Sequence, residues 1–197
     1  SIEVRYPRII DGDVETFVTT LIHQSICDID RYGKYLIFIL DHDAFISHLR
    51  MEGKYNIKMK DEPYDKHDHI IFHMTDGTDL RYNDTRKFGR MQLVDKEHYR
   101  EYPPFNRLGQ EPMDASFDYI YPRIHQSHLP IKQLLLDQSI FTGIGNIYAN
   151  EICFRMGMDP RTRGDRLSKK RILELIEVSS TILKEAIAQG GTTIHSF

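Results

Sequence analysis

Residues 142–151 read Thr-Gly-Ile-Gly-Asn-Ile-Tyr-Ala-Asn-Glu and place a tight Gly-x-Gly-Asn turn between two apolar segments of helical spacing. Glycines at positions 143 and 145 permit positive φ and let another molecule approach the backbone closely. Successive amides that lead into a helix N-terminus at Ile147 form an anion site, and the Asn146 side chain adds a donor. A plain glycine-rich connector between helices explains the same residues, and the turn alone leaves both interpretations open.

The chain around this turn is predicted to be helical. Pro103-Pro104 and the segment 108–112 mark a domain boundary, which gives domains 1–108 and 109–197. Helical spacing predicts a short helix over 116–121 that ends near Pro122, two helices over 131–139 and 147–156, and a long final helix. Ser168 is the expected N-cap of that last helix, and Gly190 follows its end.

The first half of the chain is predicted to be β. Strand-forming runs cover 34–40, 44–49, 68–74, 78–82 and 88–94. Asp76-Gly77 separates two of these runs and predicts a short hairpin. Many short strands with turn signals indicate an antiparallel β-sandwich, so the fold class is α+β.

Composition favours a cytoplasmic globular protein. The 197 residues suffice for one large or two small domains, and an apolar content of 40% supports a packed core. No apolar run approaches the roughly 20 residues of a membrane span, and Ser1 to Val4 shows no signal-peptide pattern. Cys27 and Cys153 are isolated, which indicates neither a disulfide framework nor a zinc site.

The charge of the chain gives conflicting indications. A net charge of −3 argues mildly against nucleic acid as a partner. The segment 155–171 nevertheless carries seven basic and two acidic residues, a local net charge of +5. A solvated helix start and a DNA-facing patch both fit this segment.

Four blocks carry a resemblance to a known family: Arg-Tyr-Gly-Lys-Tyr-Leu at 31–36, Ile-Ser-His-Leu-Arg-Met-Glu-Gly at 46–53, Asp-Thr-Arg-Lys-Phe-Gly at 84–89, and the turn and helix at 143–151. The segments 66–69, 108–112 and 189–193 add to it. In this order, the blocks resemble the formamidopyrimidine-DNA glycosylase family. The resemblance implies a β-sandwich joined to a helix–two-turns–helix domain, with DNA in the cleft between them.

The resemblance also implies a function. Members of this family are base-excision repair glycosylases with AP lyase activity, which remove oxidised purines such as 8-oxoguanine and formamidopyrimidines. The expected partner is double-stranded DNA that contains such lesions, with no membrane partner. The protein is expected to be a monomer in the bacterial cytoplasm, associated with the nucleoid.

Met51, Arg86 and Phe88 resemble the family's three void-filling residues. A glycosylase flips its target base out of the duplex, and the vacated stack must be filled. A flexible methionine and a wedging phenylalanine suit that vacancy, while an arginine suits the orphaned opposite base. The alternative is that Met51 and Phe88 are core residues, since both types are usually buried.

The remaining candidate residues follow from the resemblance. Lys34 matches a lysine that assists strand cleavage and contacts a phosphate. Lys132, Gly143, Gly145 and Asn146 match phosphate-binding positions. Like Arg86, His67 matches a DNA contact, whereas His69 is expected to be structural. His195 stands where a lysine is common.

Two parts of the family pattern have no counterpart in this sequence. Family members begin with a proline, whose amine attacks the sugar, and a glutamate, and they end with a four-cysteine zinc finger. The chain starts at Ser1 and stops at Phe197, so we expect an inactive fragment without a cofactor, with zinc in the finger of the intact protein. Two alternatives remain: a non-catalytic module that binds damaged DNA, and a generic helical nucleic-acid binder.

Overall fold

The computed structural model describes residues 1–191, which form two compact units. The first unit is Ser1–Tyr102, and the second begins at Pro103. Thr192, Thr193 and His195 lie outside the described residues. Within residues 1–191, no helix combines the length and the apolar character needed to cross a membrane.

The first unit contains two antiparallel sheets of four strands each, in the orders β1-β6-β7-β5 and β2-β3-β4-β8. The strands are β1 Ile2–Val4, β2 Ile26–Tyr32, β3 Tyr35–Leu40, β4 Ala44–His48, β5 Lys54–Met59, β6 Asp68–His73, β7 Thr78–Asn83 and β8 Arg90–Val94. The sequence-based prediction of an antiparallel β-sandwich in an α+β protein is therefore confirmed.

Aromatic side chains form the centre of this unit. Phe45 on β4 stacks on Phe38 of β3 at a centroid distance of 4.5 Å and on Phe72 of β6 at 5.5 Å, which joins the inner faces of the two sheets. Helix α1, Val14–Leu21, adds Phe17 to the same core. Its N-cap is Asp13, whose carboxylate accepts a hydrogen bond from the Thr16 amide at 2.7 Å.

Local turn chemistry explains the β6–β7 hairpin. Gly77 has φ = 90°, and the Asp76 carboxylate accepts a hydrogen bond from the Thr78 amide at 2.9 Å. The predicted hairpin is thus confirmed. Strand β2 is not among the strands predicted from the sequence. It is an edge strand that includes Asp28 and Asp30. Charged residues on an edge strand hinder pairing with other chains, and they also weaken the sequence pattern of a strand.

The second unit contains α2 Phe117–His125, α3 Ile131–Leu136, α4 Asn146–Arg155 and α5 Lys169–Ala188. Its buried core draws on all four helices and on the connection between α3 and α4, through Ile124, Leu135, Phe141, Ile152 and Leu175. The hydroxyl of Ser168 accepts a hydrogen bond from the Arg171 amide at 3.3 Å, so the predicted N-cap of the last helix is confirmed.

Two predicted helix ends are wrong. Helix α2 continues through Pro122 to His125, because Ile120 and Ile124 on either side of the proline are fully buried and hold both turns on the core. Helix α3 ends at Leu136 rather than at residue 139. There the Asp137 carboxylate accepts hydrogen bonds from the amide and the hydroxyl of Ser139, an arrangement that competes with helix continuation.

Candidate nucleic-acid interface

Two loops of the first unit carry the three residues predicted to fill the vacated base stack. We call residues 49–53, between β4 and β5, the methionine turn, and residues 84–89, between β7 and β8, the arginine loop. Met51 is 71% exposed and Phe88 is 50% exposed. Their exposure excludes the alternative that they are core residues. Large apolar side chains on exposed loops are suited instead to contact with another molecule.

The side chains of the two loops touch one another. Arg86 Nη1 lies 2.9 Å from Met51 Sδ, and the Arg86 guanidinium sits over the Phe88 ring at 4.7 Å from its centroid. The Thr85 hydroxyl also donates a hydrogen bond to the Glu52 carboxylate. The structure therefore brings Met51, Arg86 and Phe88 together into one exposed cluster.

A single buried carboxylate organises the arginine loop. Asp84 Oδ1 accepts a hydrogen bond from the Arg86 amide at 3.0 Å, and its Oδ2 accepts from the amides of Phe88 and Gly89, each at 2.9 Å. Burial favours the neutral acid, but these amide donors outweigh it and lower the pKa of Asp84. The carboxylate is therefore charged at neutral pH, which strengthens each of these hydrogen bonds.

Two histidines lie beside the arginine loop. His69 is buried, and its Nε2 donates to the Asp84 carbonyl at 2.8 Å, which fits its expected structural role. Burial is the main cause of the lowered pKa of His69. His67 approaches the same loop because its carbonyl accepts a hydrogen bond from the Asp84 amide at 3.1 Å. The ring Nδ1 of His67 is buried without a hydrogen-bond partner.

Lys34 lies in the tight turn between β2 and β3, one residue before β3 begins. His48 at the end of β4 and Arg50 in the methionine turn lie close enough to Lys34 to interact with it electrostatically. Partial burial and the positive charge of Arg50 lower the pKa of Lys34. Burial, Arg50 and Lys34 together lower the pKa of His48 to about 4, so its imidazole is neutral at pH 7.

Sequence reasoning did not single out His48 and Arg50, although both lie within the quoted block 46–53. The Nδ1 of His48 accepts a hydrogen bond from the Arg50 amide at 3.0 Å. Arg50 itself adopts φ = 59°, a strained conformation for a residue with a side chain. Lys34 and His48 thus lie close to Arg50 of the methionine turn, and two of these three side chains are cationic at neutral pH.

The backbone of the glycine turn in the second unit matches the predicted positive φ at one glycine and not at the other. Gly143 has φ = 95°, but Gly145 has φ = −109°, an extended conformation that other residues also adopt. The Gly143 amide donates to Gln138 Oε1 at 3.0 Å, so it is not free to bind a phosphate. Gln138 Nε2 donates to the carbonyls of Leu136 and Ile144, each at 2.9 Å. One glutamine side chain therefore fixes both sides of the turn.

The start of α4 retains the character of an anion site. Gly145 occupies the N-cap position and no side chain caps the helix there. Asn146 is exposed, and the first helical bond runs from the Ala149 amide to the Gly145 carbonyl at 2.9 Å. The partial positive charge of a helix N-terminus therefore faces outward beside an amide side chain. Lys132, the second residue of α3, is partly exposed.

The basic segment 155–171 is largely neutralised by ion pairs. Four of its arginines contact carboxylates, in the pairs Arg155–Glu185, Arg161–Asp159, Arg163–Asp165 and Arg171–Glu174. These pairs favour the interpretation of the segment as a solvated surface rather than as a DNA-facing patch.

The described residues contain no cluster of metal-ligating side chains. Within residues 1–191, no group of three or more His, Cys, Asp or Glu side chains could hold a metal ion. Cys27 and Cys153 belong to different units. The resemblance places zinc in a separate C-terminal finger, so it assigns no described residue to that metal.

Comparison with solved structures finds the same fold bound to DNA. A Lactococcus lactis FPG mutant in complex with Fapy-dG containing DNA superposes with a TM-score of 0.95 and 34% identity, over 100% of this chain and 73% of that one. The Lactococcus lactis Fpg complex with abasic-site DNA gives a TM-score of 0.94 at 34% identity, with the same coverage.

Sequence comparisons agree with the structural ones. Formamidopyrimidine-DNA glycosylases from Lactobacillus helveticus and Bacillus subtilis are each 44% identical to this chain, over 98% and 100% of its length. The chain spans 71% and 73% of those two proteins. Family models match the N-terminal domain of formamidopyrimidine-DNA glycosylase at residues 1–91 and its H2TH domain at residues 108–197.

A β-sandwich with an exposed apolar and cationic cluster, followed by a helical H2TH domain, defines a DNA-repair glycosylase of the two-domain class. Both domain matches and the relatives point to one family within that class. The chain belongs to the formamidopyrimidine-DNA glycosylase family.

Proposed function

We propose that the protein excises oxidised purines, such as 8-oxoguanine and formamidopyrimidines, from duplex DNA and cleaves the resulting abasic site as an AP lyase. The observation that carries this proposal is the exposed cluster of Met51, Arg86 and Phe88, whose members already contact one another. The Lactococcus lactis relatives, which were solved with Fapy-dG and abasic-site DNA, support the choice of substrate.

The cluster supplies what base flipping requires. Extrusion of a base leaves an apolar gap in the stack and an unpaired opposite base. Phe88 wedges between base steps and the flexible Met51 fills the rest of the gap. The Arg86 guanidinium donates hydrogen bonds to the orphaned base. The oxidised base is then held outside the helix long enough for excision.

Phosphate contacts come from both units. The start of α4, with the Asn146 side chain, binds a backbone phosphate, and Lys132 adds a cation. His67 contributes a contact beside the arginine loop. Lys34 binds a phosphate close to the lesion. Its lowered pKa brings the amine closer to a value at which it can exchange a proton during strand elimination.

We also propose a cellular location and an oligomeric state for the protein. Oxidised purines in duplex DNA place the protein in the bacterial cytoplasm, at the nucleoid. One copy of the chain carries both the cluster and the helix start, so we propose that it acts as a monomer.

Fluorescence anisotropy with an 8-oxoguanine duplex and a matched undamaged duplex tests the binding part of the proposal. We expect the chain to prefer the lesion by about tenfold or more, which corresponds to about 1.4 kcal/mol. Affinity for both duplexes should fall steeply between about 50 and 200 mM salt because phosphate binding releases counterions. Equal affinity for the two duplexes, or affinity that ignores salt, would overturn the proposal.

The catalytic part is tested on the gene product at the full length of its relatives. Release of free 8-oxoguanine and a nicked strand are the expected products. Lesion binding without release of the base would instead support a non-catalytic module that recognises damaged DNA.

A further inference from the structure

Tyr82 is buried at the end of β7, beneath the exposed cluster. The side chain is 0% exposed, and its hydroxyl donates a hydrogen bond to Asp84 Oδ2 at 3.2 Å. Burial and the nearby Asp84 charge raise the pKa of the phenol, so the hydroxyl keeps its proton at neutral pH. The donor therefore stays available to the carboxylate that organises the arginine loop.

The same hydroxyl lies between the two loops. A Cβ on Gly89, directly after Phe88, would come within 1.6 Å of the Tyr82 hydroxyl oxygen. A Cβ on Gly53, two residues after Met51, would come within 2.4 Å of it. The backbones of the methionine turn and of the arginine loop thus approach one buried oxygen atom as closely as only glycine allows.

We propose that Tyr82 and Asp84 are positioning residues for lesion recognition: the phenol sets the spacing of the two loops, so that Met51, Arg86 and Phe88 enter the DNA as one unit. This inference rests on the proposed function. The side chains that enter the DNA are exposed, so core packing does not fix their arrangement. The loops are therefore set before DNA binds, which lowers the ordering cost of binding.

Tyr55 provides a matched control within the same sheet. It pairs with Tyr82 in the β5–β7 register, at a centroid distance of 5.3 Å between the rings. The Tyr55 hydroxyl donates to Ser47 Oγ on β4 at 2.8 Å and lies 3.9 Å from Met91 Sδ on β8, so its partners are strand residues rather than loop residues. Tyr55→Phe and Tyr82→Phe therefore remove the same atom from neighbouring tyrosines, and only the second removal breaks a hydrogen bond to a loop residue.

The test compares the two variants with the wild-type chain on the 8-oxoguanine and undamaged duplexes. A 2-aminopurine next to the lesion reports by fluorescence whether the stack is opened. We expect Tyr82→Phe to lower the lesion preference by about tenfold, as loss of a hydrogen bond to a charged group predicts. We also expect it to weaken the 2-aminopurine signal and to leave affinity for undamaged DNA unchanged. Tyr55→Phe should leave the preference and the signal unchanged.

A second variant changes the Asp84 carboxylate itself. Asp84→Asn replaces an acceptor with an amide that faces backbone donors, so we expect a larger loss of preference than in Tyr82→Phe. Thermal unfolding separates this effect from a loss of fold.

If Tyr82→Phe keeps the full preference and signal of the wild type, or if Tyr55→Phe loses them equally, the positioning role is wrong while the proposed function stands. If the wild-type chain itself shows no lesion preference, the proposed function fails.

Discussion

The two surfaces that we propose to face DNA differ in the kind of atom they present. The loops of the β-sandwich present side chains, because the backbone amides of the arginine loop are occupied by Asp84. The helical unit presents main-chain groups at the start of α4, which no side chain caps. In the first surface the Asp84 carboxylate binds the amides of the arginine loop, while the side chains of Arg86 and Phe88 remain exposed to solvent. In the second, the Gln138 amide shapes a turn whose backbone leads to the helix start.

From this difference we infer different tasks for the two surfaces. Phosphates are the same in damaged and undamaged DNA, so contacts to them add affinity without discrimination. A wedge enters the stack only where a base leaves it readily, so its contribution depends on the lesion. We therefore expect variants of the sandwich loops to change specificity and variants of the helical unit to change overall affinity.

The largest effect is expected when two single substitutions are compared, one on each surface. Phe88→Ala should lower the preference for an 8-oxoguanine duplex by about 10- to 100-fold, since a base–aromatic stack contributes about 1–3 kcal/mol. Asn146→Ala should weaken binding to damaged and undamaged duplexes by the same factor, about tenfold, as expected for a hydrogen bond to a charged phosphate. Anisotropy titrations with both duplexes measure the two factors.

Each variant serves as the control for the other. Both residues are exposed, so thermal unfolding should change little in either case. An equal loss on both duplexes for Phe88→Ala, or a lesion-dependent loss for Asn146→Ala, would contradict the division of tasks.

A smaller effect is expected at Gln138. In Gln138→Glu, the carboxylate can still accept a hydrogen bond from the Gly143 amide, but it cannot donate to the carbonyls of Leu136 and Ile144. We expect the turn to loosen and affinity for both duplexes to fall by about fivefold to tenfold, about 1 kcal/mol. The exposed Gln133→Glu on α3 introduces the same charge as a control. Equal losses in the two variants would indicate that charge, not turn geometry, is responsible.

The smallest effect concerns stability and pH. Unfolded histidine has a pKa near 6.5, whereas His48 in the fold has a pKa of about 4. The unfolded chain therefore binds a proton between these values that the native state does not, and stability falls as the pH drops from about 6.5 to about 4.

We expect His48→Gln to reduce this decline by roughly 5 °C in melting temperature. His69, whose pKa is also lowered, acts in the same direction and should keep part of the decline. Melting curves at closely spaced pH values measure the difference. An identical decline in both proteins would show that His48 does not contribute.

Sequence patterns predicted the elements whose signals are local. The Asp76-Gly77 hairpin, the Ser168 cap and the inner strands follow from turn chemistry, capping and apolar runs. Helix α2 beyond Pro122 was missed because tertiary burial of Ile124 outweighs the cost of a proline.

Only part of the candidate site could be predicted from the sequence. The exposed residues could be named from short blocks, but the groups that hold them could not. Gln138 contacts backbone atoms, and Tyr82 contacts the Asp84 carboxylate. Such contacts leave no pattern in residue types. The Gly143 amide was expected to bind phosphate, but it donates a hydrogen bond to Gln138 Oε1. No pattern of residue types indicates this contact.

The hydrogen bonds that hold the arginine loop bear on how the proposed lesion preference could be changed. Asp84 binds the loop through main-chain amides, and every residue except proline supplies that group. The side chains at positions 86 and 88 can therefore be exchanged without altering the backbone that presents them. Libraries that vary these two positions on an unchanged loop backbone therefore offer a direct route to enzymes with new lesion preferences.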